Sequence, residues 1–402
     1  MKILIVTASY KPAYVYGGPI RSLAALAEGL VKEDVAVTVL TTNANGSTRL
    51  EVPLRQPVFV DGVEVYYYPL APISLGSFNY SPQLAQACKE KVKETDLVVL
   101  QSLWSHAAGP TVSACKRHNV PYVIPLRGQL MPWPMTQKRL KKRLFLALFA
   151  QHYLDNAAGL QCTVALEAET AESFNLRAPT FIIPNGIDLA RFAYMPRREH
   201  MRDVLGIPKD AKVLLFIGRL HPVKRPDIAV STLIAAQSAA DEVHLIMAGP
   251  DETGMNEILI ELAKQEDCND RLHLVGLLNG DAVLQAYAAA DLMLMPSESE
   301  NFGMSAIEAM ASSVPVLVSE GVPVGFWAEE VGAGRVISCD AEAFAQTTCE
   351  LLSDADQLKM MGQKGKEIVS QQFDNHIVTK KLLAQYRSII ETGQLLLSDH
   401  TP

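Results

Sequence analysis

Short β-branched and apolar runs alternate with amphipathic stretches along nearly the whole chain, and this alternation most narrows what it can fold into. The expected strands of the first half are Lys2–Thr7, Val35–Thr42, Val63–Pro69, Leu97–Ser102, Tyr122–Arg127, Leu160–Val164 and Phe181–Pro184. Those of the second half are Val213–Gly218, Val243–Gly249, Arg271–Gly276, Leu292–Pro296, Val314–Ser319 and Gly334–Ser338. Between them, apolar residues recur at helical spacing, as Leu23, Leu26, Ala27 and Leu30 do behind Gly17-Gly18. Near-continuous apolar strands separated by helices describe parallel sheets covered on both faces. The expected fold class is α/β, with two doubly wound, Rossmann-like domains facing a central cleft.

Two domains are expected because the alternation restarts. After Ile183-Pro184-Asn185-Gly186-Ile187-Asp188 the chain turns polar at Arg197-Arg198-Glu199-His200, then begins again at Val213-Leu214-Leu215-Phe216. The junction is placed near residues 186–205, giving an N-terminal domain over 1–190 and a C-terminal domain over 191–374. A C-terminal helix at about 375–392, within a segment 375–402, is long enough to cross back onto the first domain. The 402 residues exceed one ordinary core and suit two. A net charge of −8 argues against a nucleic-acid-coating protein. The six cysteines are scattered, without the clustering of a disulfide framework or zinc site, and read as reduced thiols. The opening MKILIVTASY is too short for a signal peptide, and no run approaches the roughly 20 apolar residues of a membrane span. A cytoplasmic protein, soluble or peripheral on the inner membrane face, is expected.

The chemistry-bearing residues concentrate in the second half. The strand Val213–Ile217 runs into Gly218-Arg219-Leu220, and Lys224 follows after His221-Pro222-Val223. A planar guanidinium beside a compact ammonium at the carboxyl end of a strand suits two adjoining phosphates; a solvated basic turn is the plain alternative. Further on, the segment from Pro296 to Ala311 carries Glu300 in a loop, then Gly303, then a helix from Met304 whose free amides would meet an anion. Glu308 lies about one turn into that helix. Carboxylates this close to a phosphate would accept hydrogen bonds from sugar or ribose hydroxyls.

GRLxxxK with Arg219 and Lys224, and Glu300 and Glu308 in an E-x7-E arrangement, resemble the retaining GT-B glycosyltransferases of family 4. The resemblance also covers Gly17-Gly18, the IPNGID junction, the turn Ala248–Pro250, the turn at Gly276 and PSxxExFGxxxxEAMA. It implies a metal-independent transferase using a nucleotide-diphosphate sugar, with UDP-glucose or a similar UDP-hexose as first choice. It assigns the diphosphate to Arg219 and Lys224, the ribose to Glu308 and the transferred sugar's hydroxyls to Glu300. Gly17, Gly18, Gly218, Asn301, Phe302, Gly303, Met304 and Ser305 are implied on the donor, largely through backbone, with Gly276 and Leu277 beside the base. The implied reaction retains configuration through a front-face ion pair, and the leaving phosphate takes the acceptor's proton.

One departure concerns the histidine that many relatives place after a central strand. Here the stretch reads Pro125-Leu126-Arg127-Gly128-Gln129-Leu130, so Arg127 stands in its place, and His106 is a neighbouring candidate on the acceptor or sugar side. A second feature is the basic, then apolar segment 138–149, expected as a helix that either buries its apolar run or lies on anionic lipid. The acceptor implied is a glycan or lipid-linked saccharide in cell-surface polysaccharide assembly. A GT-B sugar-nucleotide epimerase and a non-catalytic sugar-nucleotide-binding scaffold are the alternatives.

Overall fold

The computed structural model describes residues 1–72, 78–136, 139–237, 242–251 and 253–396. The chain divides into two compact units, Met1–Gly186 with Asn375–Pro402, and Ile187–Asp374.

In the first unit the strands are β1 (Lys2–Val6), β2 (Ala36–Thr42), β3 (Ala44–Asn45), β4 (Thr48–Arg49), β5 (Pro57–Val60), β6 (Val63–Tyr68), β7 (Leu97–Leu100), β8 (Tyr122–Pro125), β9 (Gly159–Cys162) and β10 (Thr180–Ile182). They form one sheet in the order β10-β9-β8-β7-β1-β2-β6-β5, plus the small antiparallel pair β3-β4. All neighbours in the large sheet are parallel except β5 and β6. The central β7 is buried along its whole length, as a strand covered on both faces must be. The helix Asn375–Thr392 belongs to this unit. Its Val378, Leu382, Leu383, Tyr386 and Ile389 join the core of Leu23, Leu26, Ala27 and Leu30, and Asn375 donates to the Ala25 carbonyl at 2.8 Å.

The second unit holds β11 (Lys212–Ile217), β12 (Val243–Ala248), β13 (Leu272–Gly276), β14 (Leu292–Met295), β15 (Val316–Ser319) and β16 (Gly334–Ile337), all parallel, in the order β13-β12-β11-β14-β15-β16. Sequential strands fill the sheet outward from β11 in both directions. The order therefore reverses there, which is where open α/β sheets place ligands beyond their carboxyl ends.

Each expected strand is present, its ends shifted by one or two residues. The shifts fall where apolar residues such as Val164, Ile183 and Val314 stay buried after pairing has ended. Burial is what apolar patterning reports; backbone pairing is not. The strand β5 and the pair β3-β4 were not expected. β5 begins at a proline and turns Phe59 outward, so it lacks an inner strand's signature and sits at the edge where proline is tolerated.

Candidate functional site

In the second unit, three glycines line up at the ends of adjacent strands. Gly218 N donates to the Ala248 carbonyl at 3.0 Å, and Gly249 N donates to the Gly276 carbonyl at 2.8 Å. A side chain on Gly249 would run into the Gly218 carbonyl, so the two backbones approach closely because Gly249 carries none. This leaves the rim above β11, β12 and β13 low and open: nothing lies within 4 Å of a Cβ built on Gly276, and Leu277 is exposed.

Arg219 is exposed just past β11. The loop then folds into the turn Pro222–Lys224, capped by His221, whose Nδ1 accepts from Val223 N at 3.2 Å. Val223 O in turn accepts from Glu298 N at 2.9 Å, which ties this turn to the loop after β14. That contact brings together two residues 76 positions apart (300 minus 224): Lys224 Nζ lies 2.5 Å from Glu300 Oε1, with both side chains largely enclosed. Ser297 Oγ donates to the same carboxylate oxygen at 3.1 Å, and Glu300 N to the Gly321 carbonyl at 2.8 Å. Glu300 is thus held from its side chain and its backbone. Arg225 is bonded by its guanidinium to Asp227 at 2.8–3.1 Å, which raises its pKa, and also lies 3.6 Å from the Glu298 carboxylate.

The helix Met304–Ala311 starts at Gly303, whose φ of 104° is in the glycine region. A side chain there would also strike Val322 and Val324, so both conformation and space demand glycine. Phe302 is 2 % exposed and packs edge-on against Trp327 and Phe373, which anchors the turn. Its side chain is therefore structural, and its carbonyl accepts from Val324 N at 3.1 Å. Asn301, Met304 and Ser305 are half-buried around the helix start, and the Asn301 Oδ1 is enclosed without a hydrogen bond among the described residues. Glu308 Oε2 accepts from the buried Tyr287 hydroxyl at 2.9 Å, and that hydroxyl lies 3.2 Å from the Ser305 carbonyl. Sequence reasoning missed Tyr287 and Ser297. Tyr287 sits in the helix Asp281–Ala289 at a position that reads as core, and nothing in the sequence distinguishes a core tyrosine from one orienting a carboxylate.

The first-unit candidates separate into two places. Gly17 (φ 69°) and Gly18 begin the helix Gly18–Lys32, and nothing lies within 4 Å of a Cβ at either. Arg127 follows β8 and donates through Nη1 to Ser22 Oγ, which lies 3.3 Å from the Pro19 carbonyl. Arg127 is thereby tied to the first turns of the helix that Gly17-Gly18 opens. His106 lies apart, its ring edge-on to Tyr80 and Phe78 at 4.4 and 5.9 Å. No hydrogen bond or ion pair joins His106 to Arg127 among the described residues.

The segment expected to be a basic helix runs as Arg139–Phe145, a π-helical turn Leu146–Ala150, and Gln151–Asp155. Lys138 lies outside the described residues. Its apolar run does not all turn inward. Phe145 packs against Trp104 and Phe149, whereas Leu140, Leu144 and Leu148, spaced by four, are 83, 62 and 61 % exposed. Among the described residues no helix is long and apolar enough to cross a membrane.

Comparison with known proteins agrees with this geometry. Residues 17–186 match the glycosyl transferase 4-like domain, and residues 197–368 match glycosyl transferases group 1. D-inositol 3-phosphate glycosyltransferase of Mycolicibacterium smegmatis is 32 % identical over 213 residues, 51 % of this chain and 48 % of that protein. That of Corynebacterium urealyticum is 30 % identical over 252 residues, 60 % of this chain and 58 % of that protein. The matches thus span about half the length of these curated relatives. Among solved structures, sucrose-phosphate synthase from Thermosynechococcus elongatus superposes with a TM-score of 0.78 at 20 % identity, covering 97 % of this chain and 99 % of that one. Anabaena HepE, solved with UDP and glucose, superposes with a TM-score of 0.76 at 22 % identity, covering 96 % of this chain and all of that one. With two family domains matched in order over most of its length, the chain belongs to the family 4 type of glycosyltransferases, group 1, with the two-domain GT-B fold.

Proposed function

We propose that this protein is a retaining, metal-independent glycosyltransferase that moves a hexose from a nucleotide-diphosphate sugar to a glycan or lipid-linked acceptor in cell-surface polysaccharide assembly. The observation that carries the reading is the Lys224–Glu300 pair, held at the carboxyl ends of the second unit's strands beside the Gly303 helix start. An ammonium and a carboxylate fixed together can each turn to a different part of one ligand, the diphosphate and the sugar hydroxyls. Lys224 and Arg219 would neutralise the charge growing on the leaving diphosphate, the task a metal ion performs elsewhere. Tyr287 holds one oxygen of Glu308 and leaves the carboxylate oriented for ribose hydroxyls. The leaving phosphate takes the acceptor's proton, so no protein nucleophile is required. UDP-glucose or a similar UDP-hexose is the donor of first choice, and the solved relative with UDP and glucose supports testing it first.

The exposed leucine stripe Leu140, Leu144 and Leu148, flanked by exposed Arg139, Lys141 and Arg143, suits the anionic inner face of a membrane. Sedimentation with anionic and with neutral vesicles tests this, and equal recovery in both would remove it.

Calorimetric titration with a panel of nucleotides and nucleotide sugars in chelator tests the main reading. Selective binding of one diphosphate, followed by turnover with acceptor, is expected. Strict dependence on magnesium or manganese would overturn the metal-free mechanism. Donor consumed without acceptor and recovered as its epimer would favour an epimerase, and binding without turnover would favour a scaffold.

A further inference from the structure

The loop after β8 is held in place by hydrogen bonds on both sides of Arg127. Leu126 N donates to the Gln161 carbonyl at 2.9 Å, and Gln129 Oε1 accepts from Leu103 N at 3.1 Å. Gly128 N donates to Glu167 Oε1, whose other oxygen accepts from Thr163 N at 2.7 Å and Thr163 Oγ1 at 3.1 Å. Between these anchors Arg127 adopts φ 44°, a left-handed conformation unfavourable for a residue that carries a Cβ, and is followed by Gly128 at φ 73°.

The Arg127 guanidinium is charged yet poorly compensated. Arginine keeps its proton in proteins, so burial cannot be relieved by neutralisation. Burial pulls its pKa down, against weaker opposing contributions from Tyr386 and Glu167. No carboxylate lies within ion-pair distance of it among the described residues. Glu167, the nearest candidate, has both oxygens engaged by the frame of the loop. Among the described residues Arg127 makes one side-chain hydrogen bond, to Ser22 Oγ, while its Nε is enclosed and has no acceptor. The Tyr386 hydroxyl is likewise enclosed without a hydrogen-bond partner among the described residues. Buried donors are nearly always satisfied, so an orphaned N–H on a fixed cation marks a missing acceptor.

We propose that Arg127 is the receptor for an anionic oxygen group, a phosphoryl or a carboxylate, on a ligand bound by the first unit. The proposal rests on the transfer reading above only for which ligand brings the anion: the donor's own phosphate or a charged second substrate. A guanidinium presents paired donors that match either group.

Inorganic phosphate is the probe, followed by calorimetry and thermal unfolding of the full chain. Arg127→Met is expected to weaken phosphate binding about tenfold or more, the scale of losing a charged hydrogen bond. Arg127→Lys is expected to recover part of it, because charge is kept and the fork is lost. Unliganded Arg127→Met should melt no lower than wild type, since an uncompensated charge has been removed. Lys224→Ala should retain the Arg127-dependent phosphate response, which separates the two sites. UDP affinity then identifies the source: unchanged in Arg127→Met, the anion belongs to a second substrate; weakened, it is the donor's phosphoryl. Phosphate binding equal to wild type in Arg127→Met, or a lower melting point with an intact phosphate response, overturns the proposal and makes Arg127 part of the frame. If wild type shows Arg127-dependent phosphate binding but binds no nucleotide, the anion site stands and the transfer reading falls.

Discussion

Two arginines, one buried in the second unit and one half-buried in the first, show opposite ways of holding a charge away from water. Arg202, 1 % exposed in the second unit, bonds the carbonyls of Ala289, Lys209 and Ala211 at 2.8–3.1 Å and the Asp291 carboxylate at 2.9 Å. Asp291 also accepts from Val213 N at 2.8 Å and from Arg198 at 2.7 Å, so the knot joins the helix Glu199–Leu205 to the start of β11 and to the Asp291 turn before β14. Among the described residues Arg127 in the first unit has one hydroxyl acceptor and an orphaned Nε. Full satisfaction marks a structural charge; incomplete satisfaction on a loop held by hydrogen bonds marks one that a ligand completes. Lys224 lies between these cases, paired with Glu300 yet placed where a ligand could reach both.

The comparison breaks most directly at Arg202. Arg202→Met removes the buried cation from Asp291 and takes a donor from the enclosed carbonyls of Ala289 and Ala211, so a loss of about 3–5 kcal/mol in urea unfolding is expected. A small loss would mean that satisfaction does not distinguish the two arginines. Lys224→Ala is expected to cut transfer by about two to three orders of magnitude with little change in unfolding midpoint. A large stability loss with near-normal turnover would move Lys224 to the structural class. Tyr287→Phe removes one hydrogen bond from Glu308 and is expected to weaken nucleotide binding by about 1 kcal/mol, read by calorimetry. Unchanged affinity would separate Glu308 from the ribose. Arg198→Ala removes the half-exposed outer pair of the Asp291 knot and a long contact to the Ala290 carbonyl, and about 0–1 kcal/mol is expected. A cost as large as that of Arg202→Met would show that the outer cation carries the cluster.

The α/β class was legible because strands buried on both faces write themselves as continuous apolar runs, as in β7 (LVVL) and β14 (LMLM). The strand β5 was not, because its four residues open on a proline and turn Phe59 outward, so its short apolar run does not mark which side is buried. Among the site candidates, Lys224, Glu300, Gly303 and Glu308 stood out because a loop or helix-start position makes a charge or a glycine conspicuous. Tyr287 and Ser297 did not, since each acts through a single hydrogen bond to a residue distant in sequence or hidden in a loop. The leucines of 140–148 read equally as core or surface, and only packing showed which face turned outward.

The sequence by itself determined the alternation of strands and helices, the places where strands end in glycine and charge, and the family they compose. These are local properties, set by side-chain period and backbone freedom. The tertiary structure alone decided that Lys224 meets Glu300, that Tyr287 holds Glu308, and that Arg202 is satisfied while Arg127 is not. Such pairings depend on which loops converge at the ends of a sheet, and a polar group's worth inside a protein is set by the partners that convergence supplies.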